Sequence, residues 1–145
     1  MNSFNWNVKT GQVFNLTDID QALLVKLTDE EYKPDEYSSW ENTKNGLAAE
    51  RMLIERCGYT NDARKYKDVF NPDGISVEVK TFGDHRDPYE YTKDMLNELR
   101  TRKTSWKVDI SDYVIFFKRN DEIGTYTVDG MYVWNGQKNA WRKEK

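Results

Sequence analysis

Tyr66-Lys67-Asp68-Val69-Phe70-Asn71-Pro72-Asp73-Gly74-Ile75-Ser76-Val77-Glu78-Val79-Lys80 reads as two short strands around a tight turn. Asn71-Pro72-Asp73-Gly74 carries the residues a type I turn prefers, with Asn first, Pro fixing φ at the second position and Gly last to take φ > 0. With Gly74 as the one-residue bulge of a three-residue hairpin loop, Asn71 faces Ile75 across the ladder. Counting outward, Phe70 faces Ser76, Val69 faces Val77 and Asp68 faces Glu78. Side chains alternate along a strand, so Ile75, Val77 and Val79 are expected to anchor in a core. Asp68, Glu78 and Lys80 then project together from the other face.

Charged residues alternating with valines are also what a half-buried strand shows on its wet side, and a carboxylate–lysine contact there is ordinary surface chemistry. Two carboxylates facing each other, however, repel unless a cation sits between them. Paired carboxylates on adjacent strands make a natural Mg²⁺ site, because that ion takes few protein ligands and keeps waters for substrate. A lysine two residues beyond the second carboxylate can hold a metal-bound water or offset charge on a phosphate.

Upstream, Ser38 followed by Glu41 matches a capping box and Gly58 is a suitable terminator, which predicts a helix over about 39–57. Leu47, Ile54 and Cys57 fall on one face with Ala48 at its edge, and Glu50 lies within that apolar stripe. A carboxylate there is costly unless something positive meets it, either Arg51 or a lysine elsewhere in the fold.

The run Pro72-Asp73…Glu78-Val79-Lys80 resembles the signature of the PD-(D/E)xK nuclease superfamily. The segment Gly46-Leu-Ala-Ala-Glu50-Arg-Met-Leu-Ile-Glu-Arg-Cys-Gly58-Tyr59 resembles the helix before the catalytic hairpin in archaeal-type Holliday-junction resolvases, where a helical Glu completes the metal site. The resemblance covers residues 38–118 and implies an α/β, restriction-endonuclease-like sandwich: a central mixed β-sheet flanked by helices. It implies a single domain over 1–145, with 1–37 and 119–145 as elaborations and a C-terminal β-hairpin extension. The activity implied is that of a Mg²⁺-dependent DNA endonuclease, with Mn²⁺ able to replace Mg²⁺, acting on DNA that includes branched junctions and working as a homodimer. Asp68, Glu78, the Val79 carbonyl and Glu50 would be the metal ligands. Glu50, Asp68, Glu78 and Lys80 would be the catalytic set, with Lys80 orienting or deprotonating the attacking water. Asp73, the literal aspartate of the motif name, sits at the third position of the turn and is the alternative to Asp68, as Glu41 is to Glu50.

The rest of the chain is read around this centre. Residues 1–16 are expected to be extended, with Phe4, Trp6 and Val8 alternating and a turn at Thr10-Gly11. A helix over about 18–32, capped by Thr17 or Asp18, would turn Ile19, Ala22, Leu23 and Leu27 inward. After Lys80 a polar loop offers His85 and Arg86 to substrate phosphates. A helix over 89–104 points Met95, Leu96 and Leu99 inward and ends in Arg100, Arg102, Lys103 and Lys107, cations suited both to a helix C-terminus and to nucleic acid. Trp106 stands within this basic cluster, with a place in the core as its structural alternative. Asp112–Phe117 is a nearly continuous apolar run and predicts a central buried strand. Asp129-Gly130 and Asn135-Gly136 mark two hairpin turns in the segment that follows.

A single cysteine, Cys57, excludes an internal disulfide and fits a reducing cytoplasm; with one histidine, it also excludes a Cys/His zinc site. No apolar run approaches a membrane span, and the sequence starts without a signal-peptide pattern. The net charge of −3 is uneven: residues 1–50 hold 4 Lys+Arg against 9 Asp+Glu, whereas 51–145 hold 18 against 16. Local patches bind phosphate, so the basic second part suits a nuclease. The acidic first part suits the rival reading, a catalytically inactive nuclease-fold protein acting as an acidic protein-binding module or DNA mimic.

Overall fold

The apolar run at 113–117 forms the centre of the protein. A computed structural model describes residues 4–34, 39–61 and 68–145. Phe116 and Phe117, adjacent in sequence, are both fully buried, because successive strand residues point to opposite faces and both faces are covered. Val114 and Phe116 join Phe82, Leu99 and Ile110 in one cluster, while Ile115 and Phe117 join Val77, Val79, Met52 and Leu53 in the other. Each phenylalanine contributes roughly 1.5–3 kcal/mol by leaving water.

Among the described residues, six strands and three helices build a sheet covered on both faces: β1 (Val13–Asn15), α1 (Gln21–Glu31), α2 (Trp40–Cys57), β2 (Val69–Phe70), β3 (Ser76–Gly83), α3 (Pro88–Thr104), β4 (Tyr113–Asn120), β5 (Thr125–Asn135) and β6 (Ala140–Lys143). The sheet order is β1-β5-β4-β3-β2, with β6 also on β5. β3 and β4 run parallel, joined through α3, and the other pairs are antiparallel. The fold is therefore mixed α/β, with α1 and α2 on one side of the sheet and α3 on the other. Among the described residues, no helix is long and apolar enough to cross a membrane.

The hairpin at 69–76 has the register expected of it. Val69 pairs with Val77 and Phe70 with Ser76, and the Asn71 N–H donates to the Ile75 carbonyl at 2.9 Å. Gly74 takes φ 81°, the left-handed value that the turn requires. Ile75 departs from its expected place in the core: it is 42% exposed, because the turn lifts it off the sheet. Tyr66 and Lys67, the outer end of the expected strand, lie outside the described residues.

Other elements correct the sequence reading. The second helix is capped by Ser39, whose hydroxyl accepts from Asn42 N–H at 3.0 Å, while Ser38 lies outside the described residues. The first helix starts at Gln21 and is capped by Asp20, because Leu16–Asp18 is taken up by a 3-10 turn that follows β1. Its buried positions are Leu24 and Thr28; Ile19, just before it, is buried and Leu27 packs against the core as expected, whereas Ala22 is exposed. Residues 4–8 bury Trp6 and Val8 without forming a strand.

Asp129-Gly130 is not a turn. β5 runs straight through it, and the pairing with β4 skips Asp129, since Phe116 faces Gly130 and Phe117 faces Val128. The dipeptide that favours a hairpin also suits a bulge, and the continuous partner strand selects the bulge. The turn between β4 and β5 is instead at 120–124, where Gly124 N–H donates to the Asn120 carbonyl at 2.8 Å and the Asn120 side chain accepts from Glu122 N–H at 3.1 Å. The turn beginning at Asn135-Gly136 joins β5 to β6 as expected.

α2 ends at Gly58, which has φ 74° and donates to the Leu53 carbonyl. Gly58→Ala should destabilise the fold by about 1–2 kcal/mol through left-handed strain. Gly46→Ala, inside the same helix with nothing within 4 Å of an added Cβ, should stabilise it by about 0.5–1 kcal/mol. Urea midpoints of the two variants moving in opposite directions would bear this out.

Candidate active site

The hairpin register carries Asp68 to the flank of β3. One Asp68 carboxylate oxygen accepts from the Val79 backbone N–H at 2.9 Å. A strand residue presents its N–H and C=O to the same side, so the Val79 carbonyl also points toward Asp68. The Asn71 side chain holds the turn: its Oδ1 accepts from Asp73 N–H at 3.1 Å and Ile75 N–H at 2.8 Å, while its amide donates to the Asn5 carbonyl at 2.8 Å. Glu78, next to Asp68, is 7% exposed. The Lys80 ammonium lies 3.5 Å from Glu78 Oε1. Asp68 and Glu78 open into a cavity of about 320 Å³ that is also lined by Arg102, Trp106, Val108 and Ile110.

Burial dominates the electrostatics. It pushes the Glu78 carboxyl up to about 7, with the neighbouring Asp68 charge adding to the rise and Lys80 opposing it. Asp68 is raised by burial too, but the Val79 N–H and a hydrogen bond from Glu78 hold it lower. Two carboxyls this close therefore disfavour full ionisation of the pair and favour a proton shared between them. Glu50, on the helix covering the opposite face, is raised well above the usual carboxylate range by burial, then by the charges of Asp68, Glu31 and Glu78. The Arg51 charge opposes this rise without overcoming it, its Nε being bound to Glu55 at 2.9 Å. Three carboxylates thus share one region, with Lys80 as the cation touching the pair.

These residues fit a divalent ion of the Mg²⁺ type in part. Among the described residues no three His, Cys, Asp or Glu side chains converge tightly enough to hold a metal. Asp68 and Glu78 do stand together, and one or two carboxylates plus waters is the protein share such an ion takes. Glu50 acts on that pair through its field from α2. It also lines a separate cleft with Glu31, Asn42 and Thr43.

The alternatives lie elsewhere. Asp73 is exposed at the hairpin tip, away from Glu78. Glu41 is exposed in the first turn of α2, where its charge acts on Tyr126. Of the expected nucleic-acid contacts, only Arg102 reaches the carboxylate cavity; its Nη2 binds Glu98 at 2.8 Å, and its buried Nε has no hydrogen-bond partner. Lys103 is committed to structure, bonded to Asp112 at 2.6 Å and to the Ile110 carbonyl at 3.1 Å. Lys107 is exposed and lines a neighbouring polar cleft, and Arg100 points away from the carboxylates. His85 lies over Gly83 and Arg86 over the Tyr91 ring, both in the loop leaving β3 at the end opposite Glu78.

Of the two places the sequence left open for Trp106, the core is the one it does not take. It is 63% exposed and stands at the cavity rim. Its position directly after a cationic helix end was the available signal, since an aromatic ring among cations suits nucleic acid as well as a core. Comparison with protein-family models, characterised proteins and solved structures yields no match to this chain.

The raised carboxyls tie stability to pH. Because folded Glu78 binds its proton up to about 7 against 4.5 for the free group, the folded state holds more protons between those values, so its stability falls as pH rises through that window. Glu78→Gln should flatten this fall, read as a smaller drop in melting temperature from pH 5 to pH 8 than in the wild type. A Mg²⁺ ion held by the pair would raise the wild-type melting temperature at pH 8 and leave that of the variant unchanged.

Proposed function

We propose that this chain is a Mg²⁺-dependent endonuclease that hydrolyses phosphodiester bonds of DNA and belongs to the restriction-endonuclease-like group of folds. The observation that carries the reading is the Asp68–Glu78 pair at the flank of β3, half-buried and buried respectively, with Lys80 3.5 Å from Glu78 and a cavity lined by Arg102 and Trp106 in front of it. Support for the fold-level likeness comes from a mixed sheet whose β2–β3 hairpin bears the carboxylates, with α2 before it and α3 after it.

In this reading Asp68, Glu78 and the Val79 carbonyl hold the ion, and Glu50 raises the local negative potential that attracts it. When bound, the ion polarises the phosphate and lowers the pKa of a coordinated water. Lys80 orients the attacking water and offsets charge growing on the phosphate. The guanidinium of Arg102 meets the phosphate from the α3 side, with its buried Nε still without a partner. Trp106 offers an exposed ring on which a base can stack. DNA with branched junctions is the substrate class, and a homodimer is the working form.

Incubating the protein with supercoiled plasmid and with a four-way junction, in Mg²⁺, Mn²⁺ or EDTA, tests this directly. Cleavage should appear with either metal and vanish with EDTA. Lys80→Ala and Glu78→Ala should each lower the rate by a factor on the order of 100 or more while keeping the wild-type circular dichroism. Asp68→Asn should be inactive and Asp73→Asn near normal; the opposite result would move the ligand to the turn. Failure to cleave any of these substrates would leave the acidic binding module as the better reading.

A further inference from the structure

A groove of about 730 Å³ lies on the other side of α3 from the carboxylate cavity, between that helix and the β5–β6 hairpin. Helix geometry explains the division: positions two apart are separated by about 200°, so Arg100 and Arg102 point to nearly opposite flanks. Two hydrogen bonds brace the groove walls. Arg100 Nε donates to the Asn139 carbonyl at 2.7 Å, and Trp141 Nε1 donates to the Leu96 carbonyl at 3.1 Å.

Its lining has an unusual chemistry. Lys93, Arg100, Lys138 and Lys143 face one carboxylate, Asp129, while Leu96, Tyr132 and Trp141 supply an apolar and aromatic surface. Among the described residues none of the three lysines is held in an ion pair. Thr92 lines the same wall; it is 6% exposed, and its hydroxyl, shielded from solvent, has no hydrogen-bond partner. A bare phosphate has no need of an aromatic wall, and an apolar ligand has no need of four cations. A nucleotide unit needs both.

From this combination we infer that the groove is a second binding site, which takes a nucleoside-phosphate unit with its phosphate among the cations and its base against Trp141. The site stands on its own observations and does not require the carboxylate pair to be catalytic. The same unit occurs free and within a single strand, and the test has an arm for each.

Calorimetric titration of the full chain in EDTA with thymidine monophosphate and with an eight-residue oligothymidylate should give binding. Binding of the mononucleotide shows that the free unit suffices; binding of the oligomer alone shows that the site reads a strand. Lys138→Glu with Lys143→Glu should weaken it about tenfold or more, and Glu78→Gln should leave it unchanged. No binding of either ligand would overturn the inference. So would binding indifferent to the groove lysines, or binding abolished by Glu78→Gln. Because cleavage is not read here, a negative nuclease assay and a negative titration remain separate results.

Discussion

The side-chain amide of Asn71 sets the position of everything at the carboxylate site. One oxygen accepts two backbone N–H groups of the turn, and the amide nitrogen ties that turn to the segment at Asn5. Strand pairing has period two, so a slip of one residue would send Asp68 and Glu78 to opposite faces of the sheet. Holding the turn in a single conformation therefore holds two like charges side by side, an arrangement that local electrostatics opposes.

That opposition is distributed over several elements. The Val79 N–H lowers Asp68, Lys80 offsets Glu78, and the retained proton lies between the two carboxyls. Glu50 adds a third acidic group from α2, whose remaining inward positions are apolar and packed on Val77 and Val79. The two helix layers thus have different tasks. α2 supplies burial and negative potential, while α3 supplies Arg102 on one flank and Arg100 on the other. α3 forms a wall common to both cavities.

Much of this was legible in the sequence where local chemistry leaves a single solution. Asn-Pro-Asp-Gly dictates its turn, and the turn dictates the pairing of Val69 with Val77 and hence the adjacency of Asp68 and Glu78. The run ending in Phe116-Phe117 reads as a doubly covered strand because it has no polar face. Legibility ended where one residue type serves two purposes. Asp129-Gly130 suits a hairpin turn and a bulge equally, and only the unbroken partner strand distinguishes them. Trp106 is as compatible with a core as with a cavity rim, and Lys103 as compatible with phosphate as with Asp112. Thr92 carries no signal in sequence, since an unpaired hydroxyl is a property of its surroundings.

The edge of β5 has a kinetic consequence. β1 covers that edge at Thr125–Thr127 and β6 covers it at Tyr132–Asn135, while Trp6 Nε1 reaches Glu144 Oε1 across 138 positions of sequence. β4 and β5, in contrast, are joined by the short turn at 120–124. Going from that turn to the closure between β1 and β5 takes roughly five doublings of loop length, at about 0.6 kcal/mol each. The hairpins at 69–76 and 113–135 are thus expected to assemble early, and the strap over β5 to close last. Until it does, β5 presents an unpaired edge, so crowding during synthesis acts on this strand first.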